Sequence, residues 1–261
     1  MKHDQRPKQQ PSQTPLAPAA LPLARPQAGN PLTGHSYAAG QALQSMQTVT
    51  QEPRPRPEQS SLQRDAQALH AQHGDALAQA AAQARVPVVG LAAIVLAEQH
   101  FLPAKVDERM PLRFEPYPFW LATGRWLVDS HKDQAAEYRA LAEAQQVDPQ
   151  AAMQATRMGI GQLSGAEAQA AGYASATAMH DALAADAGAQ VRALGAVAAA
   201  DAALGDALRA EDWRAVADLR AGPAAGALGY DDALAGFASS YKTWAGGGGD
   251  DDTGKPRKPR R

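Results

Sequence analysis

The segment from residue 87 to residue 100, Pro-Val-Val-Gly-Leu-Ala-Ala-Ile-Val-Leu-Ala-Glu-Gln-His, most constrains how this chain can fold. Its apolar residues cover every face of a helix for about three turns, and a helix that is apolar all round is normally buried. Pro87 suits the first helical position, where its missing N–H costs nothing. The sequence therefore predicts a helix inside the core, which the rest of the chain has to enclose.

Glu98 stands at the end of this apolar segment. The negative end of the helix dipole and the low polarity of a core would both disfavour an ionised carboxylate there. A carboxylic acid kept protonated near neutral pH is what a glycoside hydrolase uses as its general acid. Two interpretations follow from the pattern, a solvated residue at a helix end and a catalytic acid.

Composition divides the 261 residues into a central region and two ends. Residues 1–59 are rich in proline and glutamine, which predicts a disordered arm. Residues 245–261 contain a run of four glycines, then three aspartates and a basic end, which predicts a flexible tail. Residues 60–244 remain as one domain of ordinary size.

Charge is distributed unevenly along the chain. The net charge of −2 is made of about +3 in residues 1–60, +2 in residues 245–261 and −7 between them. An acidic body argues against a nucleic-acid partner. The basic tail is interpreted first as a solubilising end; the alternative is that it contacts phosphates or another polyanion, or a partner protein of a phage or secretion system.

Hydrophobic periodicity predicts a mainly α domain, because no segment alternates as a strand does. The predicted helices span residues 60–73, 75–85, 87–100, 133–146, 149–157, 166–171, 177–186, 188–209, 212–219 and 230–244. Residues 112–120 begin extended, and residues 159–165 form a glycine-rich turn. The tryptophans could stack on sugars, but most are predicted to be core residues: Trp120, Trp126, Trp213 and Trp244.

The chain shows no pattern typical of a metal or cofactor site. It has no cysteine, and His70 and His73 are a weak pair for a metal. No phosphate-binding loop, dinucleotide fingerprint or nucleophile elbow occurs. We also expect no secretory signal after Met1, and the longest apolar run, residues 86–97, is too short for a membrane span.

Seven short motifs occur in one order along the chain. They are Arg85-Val-Pro-Val88, Glu98-Gln99, Phe114-Glu115 with Phe119-Trp120, Glu137-Tyr-Arg-Ala-Leu141, Gly159-Ile-Gly-Gln162-Leu-Ser-Gly165, Gly172-Tyr173-Ala-Ser175, and Gly222-Pro223 with Gly229-Tyr230-Asp231. In this order, from about residue 74 to residue 244, the chain resembles the phage-type N-acetylmuramidase family of phage endolysins and secreted bacterial effectors. The resemblance implies a lysozyme-like helical domain with a short irregular or extended segment beside the cleft.

The resemblance also implies an activity and a set of site residues. The substrate would be peptidoglycan glycan strands, cut at the β-1,4 bond between N-acetylmuramic acid and N-acetylglucosamine, with no cofactor. Glu98 would be the general acid, and Glu115 would activate water or stabilise developing charge. Gln162, Tyr173 and Tyr230 would contact the glycan. Two alternatives stay open: Glu115 as a residue held near the aromatic turn, and Gln162 as a side chain that stabilises its own turn.

The chain departs from the family at cleft positions. Arg157-Met158 replaces a Ser-Trp pair, Arg220-Ala221 replaces Tyr-Asn, and Gln99-His100 replaces small residues. These losses favour a second hypothesis, a catalytically degenerate protein that binds glycan or a protein partner in a phage or secretion system. We expect synthesis in the cytoplasm and, if the protein is active, action at the cell wall after lysis or dedicated secretion.

Overall fold

The computed structural model describes residues 59–102, 108–127, 132–222 and 225–247. Almost all of the predicted arm (1–59) and tail (245–261) lies outside these residues. The described residues form ten α-helices: α1 Gln59–Ala84, α2 Val88–Phe101, α3 Pro116–Thr123, α4 Gln134–Val147, α5 Pro149–Gln154, α6 Ala176–Ala185, α7 Ala187–Ala200, α8 Ala202–Ala210, α9 Trp213–Ala221 and α10 Tyr230–Gly247. The prediction of a mainly α domain is confirmed.

Helix α2 is the centre of the core. Residues 89–98 of this helix are all buried. Helices α1 and α10 pack against it, and α7 packs on the other side of α1. Pro87 lies one residue outside the position predicted for it, because its extended backbone (ψ 136°) makes it the N-cap of α2. The burial of α2 follows from the apolar residues on all of its faces.

Helix α1 joins two helices that the sequence predicts separately. Gly74 lies inside it, under the ring of His70, whose Cε1 is 2.9 Å from where a Cβ of residue 74 would be. A glycine costs a helix interior only about 1 kcal/mol. Burial of one face of α1, which includes Leu69 and Leu77, outweighs this cost.

The predicted helix over residues 188–209 is two helices in the structure. Asp201 ends α7 and caps α8, because its Oδ1 accepts a hydrogen bond from the Leu204 N–H at 3.1 Å. An aspartate inside a helical pattern competes for backbone donors in this way, so it favours a cap over a continuous helix.

A small antiparallel sheet packs beside the helices. It consists of β1 Leu112–Phe114, β2 Thr156–Met158 and β3 Leu163–Ser164, in the order β1-β2-β3. The extended start predicted at residue 112 is confirmed, but the helix predicted to reach residue 157 ends at Gln154. Strands of two or three residues are too short to show alternation, so the sequence pattern does not reveal them.

We predict that truncating a side chain in the centre of α2 strongly destabilises the protein. Leu91→Ala or Ile94→Ala, each at a fully buried position, should lower the free energy of unfolding by about 2–5 kcal/mol, measured by urea denaturation. Val147→Ala, at an exposed position on α4, should change it by less than about 0.5 kcal/mol. Equal small effects at all three positions would show that α2 is not the centre of the core.

Candidate active site

The Glu98 carboxyl lies in the interior at the C-terminal end of α2. Glu98 is 5% exposed, and its Oε1 accepts a hydrogen bond of 2.8 Å from the hydroxyl of Tyr230, the first residue of α10. This burial excludes the solvated helix-end interpretation. Burial, and then the negative charge of Glu98, raise the pKa of Tyr230 well above its ordinary value, so the phenol remains a donor at neutral pH.

Glu115 lies directly after β1, where it is the N-cap residue of α3. Its buried Oε1 accepts a hydrogen bond of 2.7 Å from Nε of Arg157, and Nη2 of Arg113 lies 3.5 Å away. Arg113 and Arg157 are partners across the β1–β2 ladder, so the sheet register places both guanidinium groups beside Glu115. The second candidate carboxylate is therefore held in a buried ion pair, near the aromatic turn.

Arg157 also connects Glu115 to the glycine-rich turn. Its Nη1 donates to the Gln162 carbonyl at 3.3 Å, and its Nη2 donates to the Arg220 carbonyl at 3.2 Å. Arg220 is itself buried, and its Nη2 donates to the carbonyls of Gly161 (3.0 Å) and Gln162 (3.1 Å). Its Nη1 pairs with Oε1 of Glu167 at 3.0 Å. Two arginines thus bind the turn through its carbonyl groups.

The same arginines bring the two candidate carboxylates into one region. The positive charges of Arg220 and Arg157 lower the pKa of Tyr230 and so oppose the effects of burial and of Glu98. Tyr230 is therefore within electrostatic range of both guanidinium groups while it hydrogen-bonds Glu98. We call Glu98, Tyr230, Arg157, Glu115 and Arg220 the carboxylate–arginine cluster.

Gln162 is fully buried inside the turn, with a left-handed backbone (φ 47°). Its Nε2 donates to the Gly159 carbonyl at 2.9 Å and lies 3.5 Å from the Pro111 carbonyl. The turn is held close to α5: a Cβ at Gly165 would lie 2.0 Å from the Met153 carbonyl, so this position requires glycine. These contacts support the alternative in which the Gln162 side chain stabilises its own turn.

Tyr173 lies apart from this arrangement. It is half-buried at the edge of the core, and its backbone N–H donates to the Ala168 carbonyl at 2.8 Å. Among the described residues, no hydrogen bond or ion pair joins Tyr173 to the carboxylate–arginine cluster. The structure thus joins Tyr230 directly to Glu98, whereas Tyr173 is not bonded to either candidate carboxylate.

A cavity of about 570 Å³ opens beside the residues that follow Glu98, but the Glu98 carboxyl does not line it. Burial lowers the pKa of His73 in its wall below the ordinary value. Apolar and polar groups share the lining: Asp65, Ala68, Leu69, Gln72, His73, Leu96, Gln99, His100, Glu108, Arg109, Met110, Pro111, Ile160, Ala184, Ala187, Gln190 and Phe237. We place the candidate chemistry at the carboxylate–arginine cluster, because both candidate carboxylates are buried there and each accepts a hydrogen bond from a side chain.

The sequence analysis missed the role of two arginines and the exposure of two tryptophans. Arg157 and Arg220 are buried structural cations rather than simple losses from a cleft. The expectation that most tryptophans are core residues was wrong: Trp120 and Trp126 are 39% and 49% exposed, and Trp213 and Trp244 are half-buried. The sequence offered one signal of this exposure: residues 116–127 include two prolines and only one charged residue, which is not typical of a regular core helix.

The described residues contain no cluster of three or more His, Asp or Glu side chains placed to hold a metal ion. No described helix combines the length and the hydropathy that a bilayer span requires.

We predict that removing one partner of the Arg157–Glu115 ion pair destabilises the folded state more than removing both charges does. Arg157→Met leaves a buried carboxylate without its nearest cation, which should cost about 3–5 kcal/mol in urea denaturation at neutral pH. The double variant Arg157→Met/Glu115→Gln should recover part of this loss. Arg192→Met, which removes an exposed pair with Asp186, should have little effect on the free energy of unfolding, because water screens the pair. A loss for Arg157→Met as small as the loss for Arg192→Met would contradict the prediction.

We also predict that the Tyr230 hydroxyl stabilises Glu98. Tyr230→Phe removes the donor from a buried acceptor, so the free energy of unfolding should fall by about 1–3 kcal/mol. The matched control is Tyr241→Phe on the same helix, where the hydroxyl lies 3.2 Å from Nδ1 of His70 in a partly buried place. The control should cost less, because water can replace a partner there. Equal costs would mean that Glu98 does not depend on Tyr230.

Comparison with known proteins bears on the family and the fold. A family model described as N-acetylmuramidase matches residues 59–242. The crystal structure of the Burkholderia AP3 phage endolysin is similar, with a TM-score of 0.56 and 26% sequence identity over 66% of this chain and 70% of that chain. The comparison with curated proteins gave no match. The chain belongs to the N-acetylmuramidase family, and at the level of that family it is a peptidoglycan hydrolase.

Proposed function

We propose that this protein hydrolyses the β-1,4 bond between N-acetylmuramic acid and N-acetylglucosamine in peptidoglycan, with Glu98 as the general acid. The observation that carries the proposal is the position of Glu98, buried at the C-terminal end of α2 and hydrogen-bonded by Tyr230. A protonated carboxyl can donate its proton to the leaving glycosidic oxygen.

Tyr230 would act through Glu98 as a positioning residue. Its hydroxyl binds Oε1, so Oε2 is the oxygen that would carry the proton toward the glycosidic bond. As that bond breaks, its oxygen leaves with the proton on the N-acetylglucosamine side, and positive charge develops on the N-acetylmuramic acid ring. Water then adds to the carbon that lost the oxygen and returns a proton to the Glu98 carboxylate. The phenol itself keeps its proton, because burial and Glu98 raise its pKa. This role explains a family-matched tyrosine that is buried beside the acid.

Glu115 would stabilise the developing charge rather than activate water. Its Oε1 is bound by Arg157, and Arg113 lies nearby. Guanidinium groups favour the ionised carboxylate and so weaken it as a proton acceptor. Tyr173, which is half-buried, is the best placed of the three expected glycan contacts to meet a sugar, since Gln162 and Tyr230 are buried.

The alternative is a catalytically degenerate member that binds glycan or a protein partner of a phage or secretion system. The observation that favours it is the pair of buried arginines, Arg157 and Arg220, at positions where the family pattern has smaller or aromatic residues. Both forms of the proposal place the protein at the cell wall, reached after lysis or by dedicated secretion.

We predict that Glu98→Gln lowers hydrolysis at least about 10²-fold, because the amide keeps the shape of the side chain but has no acidic proton. Glu115→Gln should cost less if Glu115 only stabilises charge. The assay is the release of reducing ends from purified peptidoglycan, with melting temperatures measured in parallel. Glu143→Gln, at an exposed position on α4, is the matched control and should keep full activity.

The products decide which bond is cut. Borohydride reduction should label N-acetylmuramic acid at the new ends, and labelled N-acetylglucosamine would refute the bond assignment. Undiminished hydrolysis by Glu98→Gln would refute the assignment of the acid. If the wild-type protein binds glycan but does not hydrolyse peptidoglycan, the result would favour the alternative of a catalytically degenerate protein.

A further inference from the structure

Exposed large hydrophobic side chains are concentrated in one place. Among the described residues they are Trp120 (39% exposed), Leu121 (47%), Trp126 (49%) and Val147 (42%). Three of these four lie within residues 120–126, at the end of α3 and just beyond it. Single exposed apolar residues need no explanation, but a cluster of them marks a binding surface. We call Trp120, Leu121, Arg125 and Trp126 the tryptophan patch.

Local hydrogen bonds hold the patch in shape. Gly124 ends α3 in the left-handed conformation (φ 68°), and its N–H donates to the Trp120 carbonyl at 2.7 Å. The Thr123 hydroxyl donates to the Phe119 carbonyl at 2.8 Å and accepts from the Arg125 N–H at 3.1 Å. The chain between the two tryptophans is therefore ordered before a ligand arrives, which lowers the entropy lost on binding.

The chemistry of the patch suits a carbohydrate that carries carboxylates. An indole offers an apolar face for the C–H groups of a sugar ring and an N–H donor at its edge. Arg125, which is exposed, is the only charged residue in residues 116–127, although the central region of the chain is acidic. A guanidinium at the surface can pair with the lactyl or stem-peptide carboxylates of peptidoglycan.

The patch is linked to the carboxylate–arginine cluster through helix α3. Glu115, whose carboxylate binds Arg157, is the N-cap residue of this helix. At 1.5 Å per residue, Trp120 lies only about 7 Å farther along the helix axis. A glycan strand that reaches the cluster can therefore extend over this part of the surface. The neighbouring cluster and the family substrate favour a glycan over a protein partner as its occupant.

We propose that Trp120, Arg125 and Trp126 form a glycan-binding platform, in which the indoles stack on sugar rings and the guanidinium pairs with carboxylates of peptidoglycan. The inference rests on the proposed function for its substrate, but the platform can bind glycan whether or not Glu98 is catalytic. Its residues would govern substrate affinity rather than the chemical step.

The test uses Trp120→Ala, Trp126→Ala and Arg125→Ala in the full chain, with binding measured in the Glu98→Gln background. Two probes separate the contributions: purified peptidoglycan, and a hexamer of N-acetylglucosamine, which has no carboxylate. Each tryptophan variant should weaken binding of both probes about tenfold. Arg125→Ala should weaken binding of peptidoglycan alone. In the active background, KM should rise while kcat stays the same.

The matched control is Trp244→Ala, a half-buried tryptophan on α10, fourteen positions and about 21 Å along the helix axis from Tyr230. It should leave binding and KM unchanged. Unchanged binding of both probes by Trp120→Ala and Trp126→Ala would overturn the platform. A change in sedimentation with unchanged glycan binding would overturn it too, since the patch would then be a self-association surface.

Two further results separate this inference from the proposed function. Tryptophan-dependent glycan binding by a wild type that does not hydrolyse would refute the proposed hydrolysis and support the platform. The opposite result has two parts: Glu98→Gln abolishes hydrolysis, and the tryptophan variants hydrolyse peptidoglycan with an unchanged KM. It would support the proposed hydrolysis and refute the platform. If Trp120→Ala lowers the melting temperature, Trp126→Ala decides the outcome, because Trp126 is the more exposed of the two.

Discussion

The enclosure of α2 is the constraint on which the rest of the structure depends. A helix that is apolar on all faces can be stable in water only when other elements cover it completely. Helices α1 and α10 supply this cover. The same enclosure takes Glu98 out of water, because the carboxylate stands in the last buried turn of the helix. The stability of the core and the environment of the candidate acid thus have one physical origin.

Buried charge is the second organising element. Arg157 and Arg220 are both buried, and each donates hydrogen bonds to a carboxylate and to backbone carbonyls. Removing such groups from water is costly, and these hydrogen bonds offset part of this cost. Because the acceptors include carbonyls of the glycine-rich turn, the arginines fix that turn against β2 and α9. A precise geometry at Glu115 follows from this network.

In the proposed mechanism, catalysis and substrate binding are assigned to different parts of the structure. The buried carboxylate–arginine cluster would hold the acid and the charge that steadies the transition state. The exposed platform on α3 would hold the glycan by apolar faces and one cation. Helix α3 joins the two, because it begins at Glu115 and ends beside the tryptophans. Chemistry that needs low polarity and binding that needs accessible surface can therefore lie close together.

Local sequence patterns were sufficient for some features of this protein. The buried position of α2 and its terminal glutamate follow from a run of apolar residues that no partly exposed helix could tolerate. The order of short motifs was sufficient for the family, because such motifs encode turns and core contacts that the fold requires. The caps at Asp133 and Asp148 are also local, since each carboxylate bonds a backbone N–H three residues later.

Only the tertiary structure decided how the polar groups are paired. The bond between Tyr230 and Glu98 joins residues 132 positions apart, and the Arg157–Glu115 pair spans 42 positions. No sequence window contains both members of either pair. The short sheet depends on packing rather than on alternation, so its strands resembled a helix end and a turn. Exposure of Trp120 and Trp126 was likewise decided by what covers them in space, because an aromatic residue has the same sequence signature in a core and on a binding surface.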